Sequence, residues 1–204
     1  MHFEVNGKRA FASTGGKAFD NSKPGVIFLN GSGLDHTFWG LHSRFFAFRK
    51  YSGICPDYPG HSHSDGPALG SIEEIGAWIT DVTEALGANN VSVVAHSQGC
   101  LIALEYASRF PDRIRSVSFV ASGLATPVNA ALINAAENDP EAAISMMVGW
   151  GFGTAGHLHQ GAIPGNSMIA GGRKVKGWNV PTGLATELKA CDAYKNGRQA
   201  AAAI

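Results

Sequence analysis

The middle of this chain alternates short apolar runs with segments of helical periodicity, and no other feature limits its fold as much. Apolar, largely β-branched runs begin near Val26, Tyr51, Val91 and Ser116. A run of this kind suits a strand that is buried on both faces of a sheet. Helical segments separate the runs, and strands that alternate with helices form parallel sheets. The sequence therefore predicts an α/β fold, a mostly parallel sheet with helices on both faces.

Local signals place further elements before and between these runs. Apolar and polar residues alternate around the turn pair Asn6-Gly7, which predicts an antiparallel hairpin. Ser71, with Glu74 three residues later, is a capping box that predicts the start of a helix. A shorter helix is predicted over residues 36–48, with four apolar side chains on one side: Phe38, Leu41, Phe45 and Phe48.

The pattern changes after residue 125. Residues 128–148 and 184–203 are predicted to be helical, whereas the glycine-rich stretch 149–183 is predicted to be irregular. No strand is predicted in this part of the chain. The sequence thus divides into residues 1–125, which carry the strands, and residues 126–204, which are mainly helical.

Charge and cysteine content exclude several classes of protein. The chain has 204 residues with 16 basic and 16 acidic side chains, so its net charge gives no reason to expect nucleic acid or anionic membrane as a partner. Its three cysteines are widely spaced, which argues against a disulfide framework and favours a reducing compartment. Neither a signal peptide nor an apolar run of membrane-spanning length is present. These observations predict a cytoplasmic protein without a membrane span.

The strongest chemical signal is the pentapeptide Ala95-His96-Ser97-Gln98-Gly99, between a predicted buried strand and a predicted helix. Small residues two before and two after Ser97 permit a very tight turn, because larger side chains would strike the neighbouring backbone. Such a turn exposes the serine hydroxyl above the sheet, and the helix N-terminus beneath it favours developing negative charge. The simpler alternative is a serine in an ordinary strand–turn–helix junction.

This pentapeptide resembles the Gly-x-Ser-x-Gly nucleophile elbow of the α/β-hydrolase family, with Ala95 at the first glycine position. Two more stretches resemble the same family in the same order. Residues 29–39 resemble the loop after its third strand, with Asn30 in place of the usual His. Residues 56–65 resemble its Asp-x-Pro-Gly-x-Gly-x-Ser loop, with Ser62 in place of the second glycine.

The resemblance implies an α/β-hydrolase core in residues 1–125 and a helical cap, or lid, in residues 126–204. It also implies that Ser97 is the nucleophile and that the backbone N–H groups of Ser32 and Gln98 form the oxyanion hole. The candidates for the substrate pocket are two loop glycines and two cap residues: Gly31, Gly33, Trp150 and His157. The family chemistry implies no cofactor.

A metal site is the alternative use of the loop that follows the second buried strand. Four potential ligands lie close together there: Asp57, His61, His63 and Asp65. The resemblance explains this loop as scaffold beside the site, so no metal is expected.

The acid and the His of a catalytic triad are not found in this chain. In the family the chain order is Ser, acid, His. After Ser97 the only histidines are His157 and His159, both in the predicted cap, and residues 122–126 contain no carboxylate. We therefore expect an incomplete form, truncated before the last two strands of the fold. The sixth strand would then be an exposed edge.

These features predict a serine hydrolase that acts on a small-molecule ester or related acyl substrate through a covalent acyl-enzyme on Ser97. Two alternatives stay open. One is a non-catalytic protein that binds a ligand or partner. The other is an acyltransferase or C–C bond hydrolase, because one fold serves several reactions. The oligomeric state is not predicted.

Overall fold

A computed structural model describes residues 1–158, 167–179 and 183–204. Within these ranges six strands form one sheet. The strands are β1 (His2–Val5), β2 (Lys8–Ser13), β3 (Gly25–Leu29), β4 (Ser52–Pro56), β5 (Val91–His96) and β6 (Ile114–Val120). The helices are α1 (Gly40–Ala47), α2 (Ile72–Ala85), α3 (Gln98–Arg109), α4 (Ala130–Asn138), α5 (Pro140–Gly151), α6 (Thr154–His157), α7 (Met168–Asn179), α8 (Leu184–Ala193) and α9 (Gly197–Ala202).

The sheet has the strand order β1-β2-β4-β3-β5-β6. The hairpin β1–β2 and the pair β2–β4 are antiparallel, and the remaining pairs are parallel. Leu29 pairs with Ala95 at the carboxyl ends of β3 and β5. The loops that follow these two central strands therefore lie side by side, where ligands bind in open α/β sheets. The predicted α/β architecture is confirmed.

Helix α2 shows how sequence signals produce this core. Ser71 Oγ accepts a hydrogen bond from the Glu74 N–H over 3.2 Å, as the capping box predicts. Four apolar side chains at helical spacing are buried against the sheet and α3: Ile72, Ile75, Ile79 and Val82. Gly76 permits the close approach to α3, because a Cβ there would lie 2.9 Å from Glu105 Cβ. Periodicity and cap together determine this helix.

The predicted helix over residues 36–48 differs from the structure in its buried side. A 3₁₀ turn at His36–Trp39 precedes α1, and the apolar side predicted for the helix is exposed. Leu41 is 74% exposed, and the guanidinium of Arg49 covers the ring of Phe45 at 3.6 Å. Cations over aromatic rings are favourable at a surface. Lys17 and Arg44 lie over the ring of Phe48 in the same way. These cations stabilise an exposed apolar side of the helix, which periodicity alone would assign to the core.

Strand β6 also differs from its prediction as a strand buried on both faces. It pairs with β5 on one side and forms the edge of the described sheet. Phe119 and Val120 are 46% and 43% exposed. The exposed apolar edge expected for the sixth strand is therefore present. The sequence of a strand shows how apolar it is, but it does not show whether other strands or helices cover it in the folded protein.

The stretch predicted as irregular, 149–183, contains helices α6 and α7. Gly172 packs against Phe152, since a Cβ there would lie 3.0 Å from the Phe152 ring. Close helix packing thus overrides the low helix propensity of glycine. His159 lies outside the described residues. The predicted helix 128–148 is two helices, divided at Asp139, whose carboxylate caps α5 by accepting from the Ala142 N–H over 3.1 Å.

Helices α8 and α9 connect the C-terminal region to the sheet-bearing part. One side of α8 joins α4 and α5 in a small cluster, and its other side joins the main core together with α9. Tyr194 donates to Glu105 Oε1 of α3 over 2.8 Å. The division after residue 125 stays a prediction. None of the described helices is both long and apolar enough to cross a membrane.

Candidate active site

The backbone at Ser97 has the conformation of a sharp turn between β5 and α3. Its φ is 53° and its ψ is −120°, a region that side chains strongly disfavour. Gly99 makes the turn possible, because a Cβ there would lie 2.5 Å from the Leu29 carbonyl oxygen. Ser97 N–H donates to the Val120 carbonyl of β6 over 3.0 Å. The two neighbouring strands thus hold Ser97 in a strained state, as functional residues often are.

The loop after β3 lies directly against this turn. A Cβ on Gly31 would be 3.1 Å from Ser97 Cβ and 2.8 Å from His96 Nδ1, so a larger residue there would have to displace the His96 ring. Over the three described ranges of the chain, the N–H groups of Ser32 and Gln98 have no hydrogen-bond acceptor. Both N–H groups are therefore without a partner in the described part of the structure. Their assignment as an oxyanion hole stays a prediction.

Asn30 anchors this loop, at the position where the family that the sequence resembles usually has His. It is fully buried, and its side-chain amide donates to the Pro56 carbonyl over 3.2 Å. The hydroxyl of Tyr58 donates to the Asn30 carbonyl over 3.1 Å. Asn30 therefore ties the loops after β3 and β4 together, which is the scaffold role expected for residues 56–65.

Two charged residues that were not predicted lie in the same place. Lys176 of α7 donates to the Ser32 carbonyl over 2.7 Å. Glu187 of α8 accepts from the Gly33 N–H over 2.7 Å and lies 3.2 Å from His61 Nε2. Both side chains are buried. No sequence signal identified them, because single Lys and Glu residues are ordinary in helices and more than 140 positions separate each from the loop.

Burial and charge shift the pKa values of this group. Burial lowers the pKa of Lys176 to about 8, although the charge of Glu187 opposes the shift. Burial also disfavours the charged form of His61, but the Glu187 carboxylate prevails and raises its pKa to about 9. Burial and the nearby Lys176 lower the pKa of His96. His61 and Glu187 therefore form an ion pair at neutral pH, whereas His96 is neutral.

A second His–carboxylate pair lies farther along the same loops. His36 Nδ1 is 2.9 Å from Asp57 Oδ1, and Asp57 is fully buried. Burial would lower the pKa of His36, but its hydrogen bond to Asp57 raises it overall. Neither this pair nor the His61–Glu187 pair is hydrogen-bonded to Ser97. Among the described residues no His or carboxylate is hydrogen-bonded to the Ser97 hydroxyl, and no metal-binding cluster is found.

The structure brings together only some of the predicted site residues. Gly31 and Gly33 lie in the loop after β3, and a Cβ on Gly33 would be 3.2 Å from Leu184 Cδ1 and 3.6 Å from Lys176 Cγ. Trp150 of α5 is 61% exposed. His157 is exposed, with its Nε2 3.1 Å from the Gly149 carbonyl. The described contacts do not connect these two residues with Ser97, and their place in a pocket stays a prediction.

The strand order, the turn at Ser97 and the loop after β3 together define an α/β fold of the hydrolase type. Comparison with known proteins identifies the family. Residues 24–145 match the sequence model of the alpha/beta hydrolase fold family. The chain belongs to this family. The enol-lactonase of Burkholderia xenovorans LB400 has a similar structure, with a TM-score of 0.83 at 21% identity, over 100% of this chain and 77% of that one.

Two curated sequences are similar over parts of the chain. An uncharacterised protein of Mycobacterium tuberculosis is 29% identical over 118 residues, which are 57% of this chain and 32% of that protein. Epoxide hydrolase 1 of Caenorhabditis elegans is 33% identical over 97 residues, 46% of this chain and 24% of that protein. The chain thus matches about a third or less of the length of each relative.

Proposed function

We propose that this protein is a serine hydrolase that cleaves an ester or related acyl bond through an acyl-enzyme on Ser97. The observation that carries the proposal is the strained φ of Ser97 at the β5–α3 junction, with Gly99 packed against the backbone of Leu29 and Asn30 and Gly31 against the side chains of His96 and Ser97. Such strain persists only where surrounding structure enforces it, and it aims the hydroxyl out of the sheet. The likeness to an enol-lactonase, which is named for an acyl substrate, supports the same chemistry.

The proposed reaction has two halves. Ser97 Oγ attacks the carbonyl carbon, and its proton passes to a general base. The N–H groups of Ser32 and Gln98 stabilise the tetrahedral oxyanion, and the helix dipole of α3 adds to this effect. Collapse of the intermediate releases the alcohol, which takes the proton. Water then attacks the acyl-enzyme, releasing the carboxylic acid and restoring Ser97.

The proposal requires a base and an acid that the described residues do not bring to Ser97. We therefore assign both groups to residues outside the described ones, in the same polypeptide or in another chain. The proposed setting is the cytoplasm, consistent with three buried cysteines that form no disulfide.

An epoxide hydrolase is the second candidate, because one similar sequence carries that name. Attack of a carboxylate on an epoxide gives an ester, which water can hydrolyse. Attack of a serine hydroxyl would instead give an ether, which water does not readily cleave. Ser97 therefore favours an acyl substrate over an epoxide.

The test measures turnover of p-nitrophenyl acyl esters of several chain lengths, together with labelling by a fluorophosphonate. The samples are residues 1–204 and, where the source gene continues past the codon for Ile204, the product of the longer frame. We expect the label on Ser97 and a loss of at least about 100-fold in kcat/KM for Ser97→Ala. Ser118→Ala, on the exposed part of β6, serves as control. Full activity of Ser97→Ala would contradict the proposal.

The same assay distinguishes the remaining alternatives. Binding of the esters without turnover or labelling in either sample would favour a non-catalytic binding protein. Ser97-dependent transfer to an added alcohol would indicate an acyltransferase. Release of products from a carbon–carbon cleavage substrate, with esters left intact, would indicate a C–C bond hydrolase.

A further inference from the structure

One peptide unit in the loop after β3 is held at both of its polar ends by charged side chains of the helical region. The Ser32 carbonyl accepts from the Lys176 ammonium over 2.7 Å. The Gly33 N–H, at the other end of the same peptide unit, donates to Glu187 Oε2 over 2.7 Å. Lys176 and Glu187 belong to different helices, α7 and α8. Both helices are therefore hydrogen-bonded to the same peptide unit of the loop.

The side chains of Lys176 and Glu187 are buried. Burying a charged group costs free energy, so the presence of two such groups requires an explanation. Glu187 is 1% exposed and Lys176 is 9% exposed. Removing an ammonium and a carboxylate from water costs several kcal/mol each unless hydrogen bonds compensate, and an apolar pair of similar size would join the same surfaces at lower cost. Adhesion of the helices alone does not explain these residues. Charge-assisted hydrogen bonds to a peptide explain them, because such bonds are stronger and more directional than apolar contacts.

Further contacts of α7 and α8 connect these helices to the same loop and to the loop after β4. Asn179 Nδ2 donates to Asp35 Oδ2 over 3.3 Å, and Asn179 Oδ1 accepts from the Ser62 N–H over 3.1 Å. Glu187 also pairs with His61, in the loop after β4. Helices α7 and α8 thus contact both the loop after β3 and the loop after β4. They fix the position of each loop relative to the helices and to the other loop.

The position of the held peptide matters because it directly follows the N–H proposed to bind the oxyanion. A peptide unit is rigid, so fixing the Ser32 carbonyl restricts rotation at the Ser32 Cα. Gly31, the residue before Ser32, lies against Ser97, since a Cβ there would be 3.1 Å from Ser97 Cβ. A fixed loop therefore keeps the Ser32 N–H in its proposed place. Donors that are already aligned stabilise a transition state without the cost of reorganisation.

We propose that Lys176 and Glu187 are positioning residues that fix the Ser32–Gly33 peptide and thereby align the oxyanion donor when helices α7 and α8 are docked. This inference rests on the proposed function, because it takes the Ser32 N–H as part of the oxyanion hole. It assigns the cap a part in forming the reaction site, in addition to covering it.

The first measurement follows the peptide itself. Amide hydrogen exchange at Gly33, observed by NMR on residues 1–204, is compared between wild type and variants. We expect at least about tenfold faster exchange in Glu187→Leu, because the Gly33 N–H loses its acceptor. Glu187→Gln keeps an acceptor oxygen and is expected to retain most of the protection. Lys174→Met, on the exposed side of α7, is the matched control for Lys176→Met and should leave Gly33 unchanged.

The second measurement follows Ser97 through its rate of labelling by a fluorophosphonate and through steady-state kinetics. Lys176→Met and Glu187→Leu should lower kcat and the labelling rate by about tenfold or more, with KM changed much less. A loss confined to KM would indicate a binding role and would overturn the inference. Recovery of kcat in Glu187→Gln would support it.

The two measurements separate the possible failures. Unchanged Gly33 exchange in Glu187→Leu would overturn the inference, whatever Ser97 does. Faster exchange with unchanged Ser97 labelling would overturn the positioning role. A wild-type chain whose Ser97 never reacts would contradict the proposed function and, with it, the catalytic part of this inference. The exchange data would then still decide whether Lys176 and Glu187 hold the loop.

Discussion

Glycines in the turn around Ser97 have a different role from two glycines of the later helices, Gly149 and Gly177, which are not packed as Gly172 and Gly197 are. At the turn, a Cβ on Gly99 would lie 2.5 Å from the Leu29 carbonyl oxygen, and one on Gly31 would strike His96. In the helical region, a Cβ on Gly149 or Gly177 would meet nothing within 4 Å. Close packing against the Leu29 backbone requires Gly99, and the His96 and Ser97 side chains leave little space at Gly31. Gly149 and Gly177 occupy positions that other residues could fill.

This difference explains why glycine correctly predicted the turn at Ser97 but did not correctly predict irregular structure at positions such as Gly149 and Gly177. Where neighbouring backbone excludes a side chain, glycine reports real geometry. Where nothing excludes a side chain, glycine only lowers helix propensity, and packing of an amphipathic face can still form the helix. Substitutions that separate these two kinds of glycine test the comparison directly.

Gly99→Ala should have the largest effect. Its Cβ would collide with main-chain atoms of Leu29 and Asn30, which cannot move without disturbing β3. We expect a loss of at least about 3 kcal/mol in the free energy of unfolding, measured by urea denaturation followed by circular dichroism. If the variant fails to fold, the expectation is met. A variant with wild-type stability would show that the turn is not packed as described.

Stability should next depend on pH through the charges that join the two regions. The pKa of His61 is raised from 6.5 to about 9, so between these values the folded state holds a proton that the unfolded state releases. Stability therefore falls as pH rises through this window. The pKa of Lys176 is lowered from 10.5 to about 8, so here the unfolded state holds the extra proton, and stability rises between pH 8 and pH 10.5.

The measurement is the urea midpoint from pH 6 to pH 10. We expect wild type to lose roughly 1–3 kcal/mol between pH 6.5 and pH 9, with His36 adding to the loss because its pKa is also raised. His61→Gln should flatten most of this decline, whereas His42→Gln, at an exposed position, should not. An equally steep decline in His61→Gln would show that the His61–Glu187 pair does not link the two regions.

Much of the sheet-bearing part could be predicted because its signals are local or periodic. The Asn6-Gly7 turn, the capping box at Ser71 and the elbow at Ser97 each depend on neighbours within a few residues. The exposed side of α1 was not predictable in this way, because its coverage by Arg49 and other cations depends on the folded surface. Exposure of β6 likewise depends on which strands flank it.

The residues of the candidate site also fall into two groups: those predictable from local sequence and those that depend on the folded structure. Ser97 and its flanking small residues were found from the sequence, since the turn needs those residue types at that spacing. Lys176 and Glu187 were not found, because their meaning arises only when α7 and α8 dock on a loop far away in the sequence. A charged residue on a helix is usually solvated, and no spacing rule distinguishes one that will be buried.

Ser97→Gly tests the strain at the turn. Glycine adopts a φ of 53° with a ψ of −120° readily, whereas serine and alanine do not. Both Ser97→Gly and Ser97→Ala remove the proposed nucleophile. We expect Ser97→Gly to be more stable than Ser97→Ala by about 1 kcal/mol, a difference that thermal and urea denaturation can both measure. Equal stability of the two variants would show that the turn stores no strain.

Gly149→Ala should have the smallest effect and the opposite sign to Gly99→Ala. Gly149 lies within α5, and a Cβ there would meet nothing within 4 Å, so alanine adds helix propensity without a collision. We expect a gain of about 0.5–1 kcal/mol in the free energy of unfolding, with Gly177→Ala in α7 giving a similar gain. Urea midpoints compared in one buffer would resolve this difference.

Stabilisation by Gly149→Ala together with loss of folding in Gly99→Ala would establish that the same substitution has opposite effects in the two regions. A loss at Gly149 would indicate that the C-terminal end of α5 packs against a surface that requires glycine, and the contrast between the two regions would then disappear.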